Sequence, residues 1–591
     1  MKSTGRSQTK NGGKSRPLES PACAYVWGRA LGVALLLLAA APSYAGTRPA
    51  PTKFSADLQG RFDENGMVTV IVQHRQMPSE AHLRTLQGRG AALKSKFHTI
   101  HAVTMHVPVS MLAELANDPN VTYITPDREI NTTANPVTEE FATAVEADLA
   151  ASRYGLTGAG IGVAVIDSGI SCFTDLLNSG GVYRVVYSQG FLPGNNRAED
   201  YYGHGTHVAG LIGGTGVSSS TANGYSAVYA GMAPSANLID LRVLDAHGSG
   251  TDSGVIAAIE EAIALKSIYN IRVINLSLGR PVFESYTLDP VDQAVEAAWK
   301  AGIVVVAAAG NDGRYAATSG FGTIGVPGND PAVITVGATL TMGTASRVDD
   351  AIASYSSKGP TAIDHIVKPD LVAPGNHIVS LLDGGSTLAT TYPQFDVYSS
   401  NGTAQYFVLS GTSMATPLVS GAVALMLQQN PALTPDQVKA RLMATGWKGF
   451  GMFTQSTADI NGVVYSNEYD IFTYGAGYLD VNAALGNTKL ATGLALSPTA
   501  VFHSSNNTVT ITNTTPDSAF AGSSVVWGTS VVWGTSVVWG TSVIEGNSEA
   551  WGATSVVWGT TSDAGFSVVW GTTASADSAQ AALGAGDPGD N

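Results

Sequence analysis

A series of short, uninterrupted apolar runs between residues 156 and 487 constrains the fold of this 591-residue chain more than any other feature. The runs are rich in β-branched residues and lie at 161–166, 238–244, 273–278, 303–308 and 333–336. Continuous apolar strands are typical of parallel sheets that are covered on both faces. Helical stretches lie between them, including 254–266 and a segment that opens with Asp289 as N-cap and Pro290 in the first turn. The alternation predicts an α/β fold, a doubly wound, mostly parallel sheet with helices on both faces.

The first 45 residues predict a secretory signal peptide. A basic leader precedes an apolar run, 30–41, that is shorter than the roughly 20 residues needed to cross a bilayer. The run is followed by Ser43-Tyr44-Ala45, a cleavage site with small residues, although an uncleaved membrane anchor is the alternative. Cleavage leaves Cys172 as the single thiol, so no disulfide framework is expected. We therefore expect a secreted or cell-surface product with no stable membrane span.

The rest of the chain divides into three further parts. Residues 54–130 predict a small α+β module, with strands at 68–72, 102–107 and 121–124 and helices at 80–97 and 110–116. The α/β region spans 150–487. Residues 488–591 form a low-charge linker and a tail with no Lys or Arg after Lys489. The net charge of −15 argues against a nucleic-acid partner, which requires a basic surface.

The tail contains five copies of the pentad Ser-Val-Val-Trp-Gly, which begin at residues 524, 530, 536, 555 and 567. The first three copies repeat every six residues, so an extended chain would place every tryptophan on one face. One interpretation is a β-solenoid or hairpin stack for surface attachment. The other is a flexible or processed tail with aggregation-prone strands. The sequence leaves both interpretations open.

Three short segments carry chemistry-bearing side chains. The run 161–166 ends in Asp167, followed by a Ser-Gly turn, and sites in open α/β sheets form at such strand ends. Glycines flank His204, which allows close backbone approach at a helix start. The segment SGTSMATP, residues 410–417, places Ser413 near a helix N-terminus, with Pro417 in the first turn. Each segment alone has an ordinary structural explanation, as a turn, a buried histidine or an N-cap.

Together, and in the order Asp, His, Ser, the three segments resemble the subtilisin-like serine peptidases (subtilases). The resemblance implies that Ser413 is the nucleophile, that His204 is the general base and acid, and that Asp167 orients and stabilises the imidazole. The segment VVVAAAGN, residues 304–311, is similar to the family's strand that ends in the oxyanion-hole asparagine, here Asn311. The implied activity is that of a serine endopeptidase that forms an acyl-enzyme on Ser413 and acts on proteins or peptides.

The resemblance also implies the substrate-binding residues. Two edge segments would hold an extended peptide, and small residues would line the primary specificity pocket; these residues are Gly248, Ser249, Gly250, Ser277, Leu278, Gly279, Ala308 and Gly310. No acidic group is evident in the pocket, which favours large apolar residues before the scissile bond. Residues 54–130 resemble the family's inhibitory propeptide, so the chain is expected to be a zymogen inhibited by its own propeptide, and a monomer.

The chemistry requires no cofactor. His204 and His207 could suggest zinc, but they lack the H-E-x-x-H arrangement. Structural calcium stays open, with Asp175 as a candidate ligand, because the loop 213–231 does not reproduce the family's calcium-binding loop. Serine-carboxyl peptidases are disfavoured, since they require Glu at His204 and Asp at Asn311. The remaining alternative is a catalytically inactive subtilase scaffold that presents the tryptophan repeats as an adhesive or structural module.

Overall fold

The computed structural model describes residues 53–55, 58, 66–131, 141–344, 346–449, 455–460, 463–503 and 508–512, and residues 532–533, 537–538 and 543–544 in the repeats. The predicted signal peptide and most of the tail lie outside these residues. No helix in the described ranges is long and apolar enough to cross a bilayer.

Residues 66–131 have the α+β composition that the sequence predicts. In chain order the elements are β1 (Met67–His74), α1 (Glu80–Gln87), β2 (Ala92–Phe97), β3 (Ala102–Pro108), a 3₁₀ turn (Val109–Met111), α2 (Leu112–Asn117), β4 (Val121–Pro126) and β5 (Glu129–Asn131). The first four strands form an antiparallel sheet in the order β2–β3–β1–β4. One face of this sheet has its own core with the helices, whereas Ile71, Phe97 and Ala102 belong to the core of the larger unit.

The predicted helix over 80–97 is wrong in its second half. α1 ends at Gln87, and the chain turns at Gly90, whose φ of 101° is a left-handed conformation that interrupts a helix. Residues 92–97 then pair with β3 as a strand. Pairing with a distant strand overrides the local helical pattern there, because tertiary context outweighs intrinsic propensity.

The larger unit is built on one sheet. Its strands are β6 (Gly162–Asp167), β7 (Val185–Gly190), β8 (Asn237–Arg242), β10 (Ile271–Leu276), β11 (Val304–Ala308), β12 (Ile334–Leu340), β13 (Ala351–Ile352) and β14 (Leu371–Pro374); β9 (Ser249–Thr251) lies apart from them. The order is β13–β12–β11–β10–β6–β8–β7, with β14 also beside β12, and every pair except β12–β13 is parallel. The predicted doubly wound, mostly parallel sheet is confirmed.

Helices cover both faces of this sheet. In chain order the helices of this unit are α3 (Phe141–Ala144), α4 (Ala147–Tyr154), α5 (His204–Gly213), α6 (Asp252–Tyr269), α7 (Pro290–Lys300), α8 (Thr387–Thr391), α9 (Thr412–Gln429), α10 (Pro435–Thr445), α11 (Ile471–Tyr474) and α12 (Val481–Gly486). Of these, α5, α6, α7, α9 and α10 pack against strands of the sheet. Short 3₁₀ turns lie at Thr174–Leu176, Val217–Ser219, Thr221–Asn223 and Pro393–Phe395. α9 is buried from Thr412 to Leu427 and packs against β10, β11, β12 and α5.

The strand order reverses beside β6. From β6 the chain builds β7 and β8 on one side and then β10, β11 and β12 on the other. Such a switch point opens a crevice at the carboxyl ends of the adjacent strands, where ligands bind in open α/β sheets. Asp167 is the last residue of β6 and Ser277 directly follows β10, so both lie at this crevice.

The C-terminal third adds smaller sheets. The strands are β15 (Ile378–Leu381), β16 (Asp396–Tyr398), β17 (Ala404–Leu409), β18 (Gln455–Ile460), β19 (Val463–Glu468), β20 (Thr499–His503), β21 (Thr508–Thr512), β22 (Val532–Trp533), β23 (Val537–Val538) and β24 (Val543–Ile544). Ser497, shortly before β20, is tied to the larger unit, since its Oγ accepts from Lys439 Nζ at 2.8 Å and donates to Asp370 Oδ1 at 2.5 Å.

Candidate active site

His204 and Asp167 are in direct contact at the switch point. His204 Nδ1 lies 2.8 Å from Asp167 Oδ1, and both side chains are almost fully buried. Asp167 Oδ1 also accepts from the Ser168 N–H at 2.7 Å. His204 Nε2 is buried and has no hydrogen-bond partner among the described residues. When Nδ1 carries the ring proton and donates it to the carboxylate, Nε2 has a lone pair that no described group uses.

The glycines around His204 permit this contact, as the sequence predicts. A Cβ at Gly205 would lie 2.2 Å from the Gly169 carbonyl oxygen and 3.2 Å from Asp167 Cβ. Gly203 has a φ of 103°, which L-residues rarely adopt. His204 is the first residue of α5, so these glycines bring the start of α5 against the turn that follows β6.

Asp200 organises the same corner, a role that was not predicted from the sequence. Its carboxylate is buried and accepts five hydrogen bonds of 2.7–3.1 Å, from Ser168 Oγ, the N–H groups of Tyr202, Gly203 and Thr206, and Thr206 Oγ1. Burial raises the pKa of Asp200, and these donors oppose the shift. Ser168 Oγ in turn accepts from the Gly205 N–H at 2.9 Å. Asp200 therefore joins the turn after β6 to the first turn of α5. The sequence pattern that could have indicated this role is an acidic residue followed by a glycine turn and the start of a helix.

Ser413 is the second residue of α9, which confirms its predicted place at a helix N-terminus. Pro417 was predicted in the first turn of the helix, but it is the sixth residue of α9 and so lies beyond that turn. A proline at this position provides no N–H for the carbonyl of Ser413, four residues earlier. The Ser277 hydroxyl takes over that role and donates to the Ser413 carbonyl oxygen at 2.8 Å.

The Ser413 hydroxyl also faces Ser277. Ser413 Oγ donates to the Ser277 carbonyl oxygen at 3.1 Å, whereas His204 Nε2 has no partner in the described part of the chain. The structure thus joins Asp167 to His204 but contains no hydrogen bond between His204 and Ser413. A hydrogen bond from this hydroxyl to His204 would require it to leave the Ser277 carbonyl oxygen.

Asn311 follows β11 and contacts the residue before Ser413. Its Oδ1 accepts from the Thr412 N–H at 2.9 Å and from Thr412 Oγ1 at 3.0 Å. Because the Thr412 N–H can only donate, the acceptor must be the amide oxygen, which fixes the orientation of the amide group. The Asn311 NH₂ group is therefore directed away from Thr412.

The predicted substrate-binding residues lie on two segments near the crevice and on the end of β11. Ser249 and Gly250 belong to β9, and Gly248 directly precedes it. β9 pairs with β5 in antiparallel fashion, with Glu129 opposite Thr251, Ile130 opposite Gly250 and Asn131 opposite Ser249. The first segment is therefore an edge that accepts an extended chain.

The remaining predicted residues are tightly packed. Ser277, Leu278 and Gly279 follow β10, and a Cβ at Gly279 would lie 2.9 Å from the Val326 carbonyl oxygen. Ala308 is the last residue of β11, and Gly310 follows with a φ of 108°.

His207 is buried and contacts backbone carbonyl groups, which is typical of a structural role. Its Nε2 lies 3.1 Å from the carbonyl oxygens of both Ile378 and Phe407. A single N–H at Nε2 is therefore shared between the two oxygens. Burial lowers the pKa of His207 to about 3, and the neighbouring His204 contributes in the same direction. Within the described ranges, no group of three or more His, Cys, Asp or Glu side chains is arranged to hold a metal ion.

The described contacts of Asp175 are all with hydrogen-bond donors. Its Oδ2 accepts from the Tyr406 hydroxyl at 2.5 Å and its Oδ1 accepts from the Ser218 N–H at 2.8 Å. Arg184 donates to the carbonyl oxygen of Asp175 at 3.0 Å. These donors explain the burial of Asp175, and calcium binding at this residue stays a prediction.

Comparison with known proteins identifies the class. A profile of the Subtilase family matches residues 158–477. The chain is 39% identical over 360 residues to Serine protease AprX of Bacillus subtilis, covering 59% of this chain and 75% of AprX. It is 34% identical over 414 residues to Subtilisin E of the same species, covering 69% and 87%. The chain therefore belongs to the subtilase family and is a serine endopeptidase.

A solved structure supports the same fold. Fervidolysin from Fervidobacterium pennivorans, a keratinolytic enzyme related to subtilisin, superposes with a TM-score of 0.53 at 22% sequence identity. The match covers 74% of this chain and 64% of fervidolysin. At this identity the likeness concerns the fold alone, and it agrees with the subtilisin-like architecture expected from the sequence.

Proposed function

We propose that this serine endopeptidase cleaves peptide bonds with Ser413 as nucleophile, His204 as general base and then acid, and Asp167 as the orienting carboxylate. The observation that carries the assignment is the buried 2.8 Å contact between His204 Nδ1 and Asp167 Oδ1, which leaves Nε2 without a partner among the described residues. In the reaction Ser413 Oγ attacks the scissile carbonyl and its proton passes to Nε2. Asp167 stabilises the resulting imidazolium, which then protonates the leaving amine.

The oxyanion would be held by two donors. The Ser413 N–H lies in the first turn of α9, where backbone N–H groups have no partner within the helix. The Asn311 NH₂ group, oriented through Thr412, is the second donor. Loss of one such donor typically lowers kcat about 10²–10³-fold. We therefore expect Asn311→Ala to lower kcat by about that factor with little change in KM.

Labelling with a fluorophosphonate probe tests the nucleophile. The processed wild-type protein should be labelled and Ser413→Ala should not. Ser420→Ala is a matched control, because Ser420 lies on the same helix and its hydroxyl donates to Asn275 Oδ1, and it should be labelled like the wild type. Labelling that persists in Ser413→Ala would refute the assignment, and no labelling of folded wild type that has lost residues 54–130 would favour the inactive-scaffold alternative.

Residues 54–130 are proposed to act as an intramolecular inhibitor of a zymogen. The supporting observation is the pairing of β5 with β9, by which the chain occupies the edge predicted for substrate. Two further contacts tie the module to α6: Asp127 accepts from the Ser253 N–H at 2.8 Å, and the Thr99 N–H donates to Glu260 at 2.8 Å.

Processing of the full chain tests this proposal. Wild type should be cut beyond Asn131, whereas Ser413→Ala should keep its propeptide attached. N-terminal sequencing of the secreted product locates the cut, and a cut within residues 66–126, inside the module, would contradict the proposal.

The finer points stay proposals as well. We infer export through the signal peptide 1–45, monomeric action on proteins or peptides, and a preference for large apolar residues before the scissile bond, for which the small residues Ala308 and Gly310 would leave room. Asp175 is proposed to stabilise its loop by hydrogen bonds without calcium, and the chemistry is proposed to need no cofactor. Intact mass of the secreted protein reports whether the repeats survive maturation.

A further inference from the structure

Arg128, at the end of the proposed propeptide, is buried in the peptidase unit. Its Nη1 and Nη2 donate to the two carboxylate oxygens of Glu284 at 2.6 and 2.5 Å. The guanidinium also lies 3.8 Å from both Asp252 and Asp289, and 5.1 Å from the centre of the Phe283 ring. The side chain is 1% exposed. A pocket with three carboxylates and an aromatic face thus encloses one planar cation.

The peptidase unit balances only part of this negative charge itself. Arg280 donates to Asp252 at 2.7 and 2.9 Å and to Asp289 at 2.7 Å, so these two acids share one guanidinium. The side chains that donate to Glu284 in this structure, those of Thr125 and Arg128, both come from the propeptide segment. Burial raises the pKa of Glu284, the charge of Asp289 adds to this shift, and Arg128 opposes both.

The pocket continues the edge on which an extended chain lies. The Asp252 N–H donates to the Arg128 carbonyl oxygen at 2.8 Å, one residue beyond the pair of Glu129 and Thr251. If the processed bond lies beyond Asn131, Arg128 is at least four residues before it. A substrate bound along the same edge would place a side chain at the same point, because residues along paired strands keep a fixed register.

We propose that, once the propeptide has left, this pocket binds the guanidinium of an arginine in the substrate, four or more residues before the scissile bond. The inference rests on the proposed function of the preceding subsection. Release of Arg128 leaves Glu284, Asp252 and Asp289 opposite the single cation of Arg280. The planar fork of arginine fits Glu284 with two parallel hydrogen bonds, which the point charge of a lysine cannot reproduce. The pocket therefore recognises an extended basic substrate as well as the propeptide.

The test uses processed enzyme obtained from the full chain and peptides that share one cleaved bond. Arginine, lysine or citrulline, the neutral isostere of arginine, is placed in turn at the fourth to seventh residue before the bond. At one position arginine should exceed citrulline in kcat/KM by about tenfold or more, as expected for a hydrogen-bonded ion pair, with lysine between them. Glu284→Gln should remove this preference. Glu261→Gln, on α6 and bound by the Tyr187 hydroxyl at 2.7 Å, should keep it.

The outcomes separate this inference from the proposed function. Equal kcat/KM for arginine and citrulline at every position, in an enzyme that cleaves the peptides, refutes the pocket alone. A preference that survives Glu284→Gln also refutes it, and the citrulline comparison stands even where that variant fails to fold. A folded chain that cleaves none of the peptides and takes up no fluorophosphonate refutes the proposed function.

Discussion

The hydrogen bond between Ser277 and the Ser413 carbonyl predicts a specific coupling with Pro417. Because Pro417 has no N–H, the Ser413 carbonyl oxygen accepts instead from the Ser277 hydroxyl, at 2.8 Å. Ser277→Ala leaves this buried carbonyl without that donor, which costs about 1–3 kcal/mol of unfolding free energy. In Pro417→Ala the new N–H can donate to the same carbonyl oxygen as an ordinary helix hydrogen bond. Ser277→Ala should therefore cost little in that background through this carbonyl.

A double-mutant cycle measures this coupling. We expect Ser277→Ala to cost at least about 1 kcal/mol less in the Pro417→Ala background than in the wild-type background. Ser277 Oγ also accepts from Asn275 Nδ2 at 2.9 Å, and that loss is common to both backgrounds, so it cancels in the cycle. All four proteins should carry His204→Ala, which removes the proposed base and so prevents autolysis.

Urea unfolding followed by circular dichroism gives the four free energies. Costs that add to within about 0.5 kcal/mol would refute the reasoning, because independent sites behave in that way. Kinetics of the proteins with His204 intact give a second measurement. Ser277→Ala should lower kcat by disturbing the position of Ser413, and Pro417→Ala should restore part of it.

Three further predictions concern the residues around the site. Asp200→Asn replaces a carboxylate that accepts from five donors by an amide with one acceptor oxygen. In steady-state kinetics we expect kcat to fall while KM changes little. A rise in KM as large as the fall in kcat would contradict a positioning role. Tyr406→Phe should lower the unfolding free energy by about 1–3 kcal/mol through the lost bond to Asp175, and the loss should be the same in calcium and in a chelator; rescue by calcium would contradict our interpretation. Because burial lowers the pKa of His207 to about 3 in the folded protein, its contribution to the unfolding free energy is fully present above the unfolded pKa of about 6.5 and is lost progressively as the pH falls towards about 3. The difference in unfolding free energy from His207→Gln, measured between pH 7 and pH 4, should shrink accordingly, and a constant difference would contradict the prediction.

The sequence predicts the main sheet and the place of the site because both depend on short, continuous segments. The apolar runs became parallel strands, Asp167 ends one of them, and His204 and Ser413 begin helices. Gly203 and Gly205 also predict a close approach of the start of α5 to its neighbours, since a Cβ does not fit at either position.

What the sequence did not reveal depends on contacts between distant residues. Ser277 and Ser413 are 136 residues apart, and no local pattern indicates that one completes the helix of the other. The pairing of β5 with β9 and the seating of Arg128 on Glu284 join segments more than 100 residues apart. The second half of the helix predicted for 80–97 failed for the same reason, because a partner strand decided its conformation.

The anchoring of Ser497 between Lys439 and Asp370 sets where this chain can be shortened. A truncation after residue 487 would take the Ser497 oxygen away from a buried ammonium and a buried carboxylate, and so weaken the body of the enzyme. A truncation after Thr512 leaves both contacts in place. Removal of the tryptophan repeats and loss of these buried contacts are therefore separable, because a chain cut after Thr512 gives up the pairing of β21 with β24 but keeps both contacts of Ser497.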